Sequence, residues 1–158
     1  MNDSPILAVV VERRILAAVV VQRGRPVFAE VRQLRPTIAD ATRSIEANIE
    51  RLITTFIVQS AFVLVPPDKA KWRRSVLADT AARVLRAAGV VVTDGTKEFI
   101  FDHFGTPPLR SRVELRSVIR PFWTAHSVDE PVAYVLDAFA AGLLAYYEQL
   151  LRVVEEGT

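Results

Sequence analysis

Ile6-Leu7-Ala8-Val9-Val10-Val11, then Glu12-Arg13-Arg14, then Ile15-Leu16-Ala17-Ala18-Val19-Val20-Val21-Gln22: this stretch decides the fold. Each apolar run is rich in β-branched residues and long enough for one strand, and the three charged residues between them make a turn. Neither run alternates with polar residues. Both faces are therefore apolar, as in central strands covered from both sides. Arg23-Gly24-Arg25 supplies a second turn, and Pro26–Leu34 alternates as a third strand, with Val27, Ala29 and Val31 against Phe28, Glu30 and Arg32. Its charges mark it as an edge. Residues 6–34 thus form an antiparallel meander.

After the meander the pattern changes to alternating helices and strands. Pro36 stops the third strand, and Thr37 with Asp40 three residues on is an N-cap for a helix carrying Ile45, Ile49, Leu52, Ile53 and Phe56. Ala61–Val65 is a short buried strand stopped by Pro66-Pro67. A second helix starts near Asp68, presents Trp72, Val76, Ala81, Val84 and Leu85, and ends at Gly89. Val90–Thr93 is a fifth strand, closed by a turn at Asp94-Gly95. Thr96–Phe104 is a short helix or turn, Arg112–Ile119 has helical spacing, and Val132–Leu151 is one long helix introduced by Asp129-Glu130-Pro131. Strands that follow helices join a sheet in parallel through right-handed crossovers. The expected fold is α/β and ribonuclease H-like: a mixed five-stranded sheet, order 3-2-1-4-5, with helices on both faces, over one domain of residues 1–158.

Composition narrows the chemistry. The 158 residues contain no cysteine and two histidines, so thiolate chemistry and a His-rich metal site are excluded. No apolar run is long enough to span a bilayer, and Asn2-Asp3 does not read as a signal peptide, so a cytoplasmic protein without membrane contact is expected. The net charge is only +2, but it is unevenly spread. Residues 68–88 hold six cations against two acids, residues 107–120 hold four arginines against Glu114, and residues 129–158 hold six acids against Arg152. A basic middle suits phosphates, although solvated helix faces give the same pattern.

Three segments resemble the Holliday-junction resolvases of the RuvC family. Ile6–Val10 is similar to that family's first strand. Gly105 followed by Pro108-Leu109-Arg110-Ser111-Arg112-Val113-Glu114-Leu115 resembles its glycine, basic loop and short helix. Glu130-Pro131-Val132-Ala133-Tyr134-Val135-Leu136-Asp137-Ala138-Phe139-Ala140 resembles its last helix. The resemblance implies four carboxylates that hold two divalent ions, which activate water and stabilise the leaving oxygen. Here the first position is Val10, the second falls at Val65-Pro66, and the pair on the last helix falls at Tyr134 and Asp137. Hydrocarbon side chains cannot ligate Mg²⁺, which demands oxygen.

Asp137 is thus either a surviving or relic ligand or a structural acid, paired with Arg13, Arg14 or the region of the Tyr134 hydroxyl. Glu12, on the same strand face as Val10, and Asp68, just past the fourth strand, are the displaced acids that a metal site would need. Their structural alternatives are a cap on the first hairpin and an N-cap on the second helix. Lys69, Lys71, Arg73, Arg74, Arg110, Arg112, Arg116 and Arg120 are the candidate phosphate contacts. Trp72, Phe122 and Trp123 beside Arg73, Arg74 and Arg120 suit stacking on unpaired bases, or a place in the core. His103 reads as a loop residue rather than a base, and Asp94-Gly95-Thr96 as a turn rather than a phosphate cradle.

The expected function is non-catalytic binding of branched or duplex DNA by a resolvase-like homodimer that needs no cofactor. One alternative is a structure-specific endonuclease with displaced carboxylates, where Mg²⁺ or Mn²⁺ binds Asp137. The other is a protein-interaction domain using the aromatic and acidic end that carries Tyr146, Tyr147, Leu150, Leu151 and Val154.

Overall fold

The computed structural model describes residues 3–66, 72–105, 107–123 and 133–157. Strands β1 (Ile6–Val11), β2 (Ile15–Gln22) and β3 (Arg25–Gln33) are followed by α1 (Ile38–Phe56), β4 (Ser60–Leu64), α2 (Trp72–Ala87) and β5 (Val91–Gly95). Helices α3 (Lys97–Phe104) and α4 (Arg112–Ile119), a 3₁₀ turn over Arg120–Phe122, and α5 (Ala133–Glu156) complete the chain. The strands form one sheet in the order β3-β2-β1-β4-β5. β1 pairs antiparallel with β2, and β2 with β3, while β1 pairs parallel with β4, and β4 with β5.

The apolar runs behave as two-faced strands. Ile6, Ala8 and Val10 of β1, with Ala17, Val19 and Val21 of β2, pack in a cluster with α3, α4 and α5. Leu7, Val9 and Val11, with Leu16, Ala18 and Val20, pack on the opposite face with α1 and α2. A one-residue slip of either strand would exchange these sets, so the helices on the two faces fix the register. β3 is the edge. Its Phe28 meets Phe56 of α1 with ring centroids 5.2 Å apart, while Val27 and Val31 are exposed.

Local chemistry sets the boundaries. The Thr37 hydroxyl caps α1 by accepting from the Asp40 amide, and Gly89 takes the left-handed conformation that ends α2. Arg23 and Gly24 both have positive φ and make the two-residue β2–β3 turn, with the Tyr146 ring lying against Gly24.

Several expected boundaries change. Asp94 and Gly95 belong to β5, paired with Val63 and Leu64, and do not form a closing turn. A Cβ at Gly95 would lie 2.9 Å from the Phe62 ring and 3.1 Å from the Phe99 ring, so any larger residue there would have to displace them. Thr96 is the N-cap of α3, its hydroxyl accepting from the Phe99 amide. The expected start of the second helix at Asp68 lies outside the described residues. Trp72 does not join that helix's buried stripe. It is 70% exposed, and Leu77, Ala81 and Leu85 pack on the sheet instead. α5 runs on to Glu156, beyond the expected Leu151.

Candidate functional site

The carboxyl ends of β1 and β4 open toward the first turns of three helices. Glu12 follows β1 directly, Arg74 lies in the first described turn of α2, and Lys97 and Arg112 begin α3 and α4. α4 starts where it does because the Ser111 hydroxyl accepts from the Glu114 amide, while the Glu114 carboxylate accepts from the Arg110 amide. That start places Arg112 and Arg116 one turn apart on the same side as the buried Leu115 and Ile119. Both guanidiniums therefore face inward.

Opposite them lies Asp137, one turn into α5 and 1% exposed. Arg116 grips it with both arms of the fork, Nε to Oδ1 at 3.1 Å and Nη2 to Oδ2 at 2.9 Å. Such a bidentate pair is the strong form of the charge-assisted hydrogen bond. Nε of Arg112 approaches Oδ2 of the same carboxylate at 3.6 Å. Through Nη2, Arg112 also donates to Glu12 Oε1 at 2.8 Å, and Arg74 Nη2 reaches Glu12 Oε2 at 3.0 Å. Arg112 thus bridges the two acids. Burial opposes its charge, but the hydrogen bond and charge of Glu12, with the charges of Asp137 and Tyr134, outweigh that and raise its pKa above the ordinary value.

A cleft of about 70 Å³ sits at the outer side of this network, lined by Val10, Glu12, Pro66, Arg74, Lys97 and Arg112. Arg74 and Arg112 keep about a quarter of their side-chain surface exposed. Lys97 makes no ion pair among the described residues.

The sequence candidates separate on this geometry. Glu12 and Asp137 are brought to one network, but every carboxylate oxygen of the two is engaged by a guanidinium. Asp68, the third displaced acid, lies outside the described residues, as do Lys69 and Lys71. Among the described residues no three His, Cys, Asp or Glu side chains are grouped to hold a metal ion. Val10 occupies the strand-one position beside the cleft with a hydrocarbon. Among the described residues this donor set, two carboxylates each already neutralised by guanidiniums and a hydrocarbon at the strand-one position, does not fit Mg²⁺, which needs several oxygen ligands and would meet adjacent positive charge.

The partner of Asp137 is Arg116, with Arg112 nearby, and not Arg13, Arg14 or Tyr134. Arg13 and Arg14 are exposed on the β1–β2 turn. Arg74, Arg112 and Arg116, read as phosphate contacts, are all tied to carboxylates. Arg73 is tied to the backbone, where Nε donates to the Arg13 carbonyl at 2.7 Å, Nη1 to Pro36 at 2.6 Å and Nη2 to Arg35 at 2.8 Å. The fork clips the β1–β2 turn to the β3–α1 loop. Arg110 and Arg120 are exposed. Trp72 and Phe122 are exposed, whereas Trp123 packs edge-on against Phe139 at 5.1 Å. His103 is not a loop residue but lies in the last turn of α3, with Nδ1 donating to the Phe99 carbonyl at 2.7 Å. Glu12 does more than cap its hairpin, although its amide also bonds the Ile15 carbonyl.

Lys97 was not among the residues singled out in the sequence. A signal existed, since it follows β5 directly and ligands of parallel sheets gather beyond the carboxyl ends of strands.

No protein-family model and no curated protein sequence matches the chain. Solved structures do. RuvC of Thermus thermophilus in complex with a Holliday junction substrate superposes with a TM-score of 0.74 at 16% identity, covering 93% of this chain and 96% of that one. A second Thermus thermophilus RuvC structure gives 0.72 at 14% identity, over 92% and 96% of the two chains. The yeast mitochondrial Holliday junction resolvase gives 0.68 at 10% identity, over 96% and 83%. With the sheet order and the two helical layers, this likeness shows that the chain has the ribonuclease H-like fold in the form found in the RuvC-type resolvases.

Proposed function

We propose that this chain is a DNA-binding protein of RuvC-type fold that holds branched or duplex DNA without cutting it. The observation that carries the reading is the Arg74–Glu12–Arg112–Asp137–Arg116 network. Two-metal hydrolysis needs carboxylate oxygens free to hold cations that activate water. Here the two acids at the sheet end hold three guanidiniums, which attract phosphate but do not generate hydroxide. The network carries more positive than negative charge. The exposed Arg110 and Arg120 add to the basic surface, and Lys69 and Lys71, outside the described residues, stay candidate phosphate contacts from the sequence alone. Contacts of this kind position a duplex and carry little sequence information.

The same reading takes the protein to act in the cytoplasm, as a homodimer with a self-complementary interface facing a two-fold junction, without a metal cofactor. Among the described residues no helix is long and apolar enough to cross a membrane.

The test is titration of a labelled four-way junction and a matched duplex with EDTA present, at low and moderate salt. Binding is expected at low salt, weakening as salt rises, with the junction preferred. Absence of binding to both at low salt overturns the reading. Incubation with Mg²⁺ or Mn²⁺ should leave the junction intact; metal-dependent cleavage by the wild-type chain would overturn the non-catalytic part. Sedimentation at several concentrations tests the dimer, and a monomer throughout would remove it.

A further inference from the structure

We infer that the cleft between β1, β4, α3 and α4 is a metal-free pocket for one phosphate group, held by Lys97, Arg112 and Arg74. The inference deepens the DNA-binding reading and rests on it for the source of the phosphate.

Charge and hydrogen-bond supply both point to an anion. Arg74, Arg112, Arg116 and Lys97 stand against Glu12 and Asp137, so four cations face two carboxylates. Each guanidinium has five N–H donors, and the bonds found use a minority of them. The Nε atoms of Arg74 and Arg112 are buried and make no hydrogen bond, that of Arg112 lying 3.6 Å from Asp137 Oδ2, so the donors left for a ligand are the outer Nη groups of the two half-buried guanidiniums and the Lys97 ammonium. A cleft lined by more cations than acids is short of acceptors, and a phosphate oxygen is an acceptor with charge. Lys97 and Arg112 are the first residues of α3 and α4, so both helices bring their positive ends to the same cleft. The remaining side chains of the lining, among them Val10 and Pro66, are apolar and carry no charge to compete with the cations. Glu12, the one acid on the lining, is already held on both oxygens.

The pocket differs from a carboxylate–metal centre in its prediction. Its cations are covalently part of the chain, so phosphate should bind in EDTA and gain nothing from divalent ions.

The test uses the whole chain with inorganic phosphate, followed by calorimetry or ³¹P relaxation, in EDTA. Saturable binding is expected. Lys97→Met should weaken it about tenfold, as expected for loss of one charge-assisted hydrogen bond, with the urea midpoint unchanged. Arg25→Met makes the same charge change at the opposite end of the sheet and should have no effect. A single-stranded oligonucleotide with and without a 5′-phosphate then separates a terminal phosphate from an internal diester as the group bound. Absence of saturable phosphate binding, equal loss in Lys97→Met and Arg25→Met, or a requirement for Mg²⁺ each overturns the pocket. If the junction binds and phosphate does not, the pocket falls and the DNA reading stands. If phosphate binds and no DNA does, the pocket stands and its assignment to DNA falls.

Discussion

Replacing Asp137 by Asn tests the network at its most buried point. In a cluster of carboxylates built to hold metal, an acid-to-amide change without metal relieves like-charge repulsion and leaves the fold as stable or more so. In this chain the sign should be opposite. The Asp137 side chain is 2% exposed and bonded twice to Arg116, which is 25% exposed. Removing one partner of a buried ion pair strands the other and costs about 3–5 kcal/mol. Arg116 can turn partly toward water, which favours the lower end, about 3 kcal/mol. With a urea slope of roughly 1–3 kcal/mol per molar, the unfolding midpoint should fall by about 1–3 M. The pair as a whole need not be stabilising. Asp137→Leu with Arg116→Met, which replaces both charges by hydrocarbon, should recover most of the loss. Equilibrium urea unfolding of the wild type, Asp137→Asn and the double variant, at matched slopes, gives all three values. A midpoint for Asp137→Asn equal to or above the wild type would refute the argument that this acid serves the guanidiniums.

Three further outcomes follow from other contacts. Gly142→Ala should destabilise by about 1–2 kcal/mol despite alanine's better helix propensity, because its Cβ would lie 2.7 Å from Val21 Cγ2 and 3.3 Å from the Ala8 Cβ; a double-mutant cycle with Val21→Ala should show part of that cost relieved. Arg73→Met should cost about 1–2 kcal/mol and speed hydrogen exchange at the Leu34 amide, which bonds the Arg14 carbonyl inside the clip. Arg73→Lys should not restore it, since one ammonium cannot reproduce a planar fork reaching three carbonyls. Val10→Asp, which returns an acid to the strand-one position beside Arg112, should bring no Mn²⁺-dependent cleavage of a junction and should weaken phosphate binding by neutralising the cleft.

The fold was legible because its strongest signals are local. Uninterrupted β-branched runs at Ile6–Val11 and Ile15–Val21 leave no choice but central strands, and Thr37 and Gly89 mark helix ends by their own backbone chemistry. Asp94-Gly95 was misleading because the pair has turn chemistry while the parallel pairing with Val63 and Leu64 keeps it extended. Trp72 was misleading because its size suggested the core although it lies outside the stripe of Leu77, Ala81 and Leu85. At the site, Asp137 stood out as a lone acid in an apolar helix, but its partner did not. Arg116 is 21 residues away and Arg112 is 100 residues from Glu12, and such pairings are set by packing between layers. A pattern did carry the answer. Arg112, Leu115, Arg116 and Ile119 fall at i, i+3, i+4 and i+7, so the two arginines share the buried stripe of a short helix. Cations in such a stripe require a buried acid opposite, and Asp137 is the acid that α5 buries.

On the proposed reading, the arrangement would separate binding from cutting on one fold. A divalent ion at a phosphate neutralises charge, orients the group and lowers the pKa of a bound water, and only the last makes it a hydrolase. A guanidinium performs the first two, with a planar fork suited to phosphate oxygens, but it has no open coordination position for water. Arg112, like any guanidinium, stays protonated near neutrality, and although burial opposes its charge, Glu12 and Asp137 raise its pKa further. Glu12 and Asp137 hold cations that no chelator removes and that supply no nucleophile. On the proposed reading, DNA affinity at this face should survive EDTA and fall with salt. That combination distinguishes a phosphate held by the chain's own side chains from one held through bound metal ions.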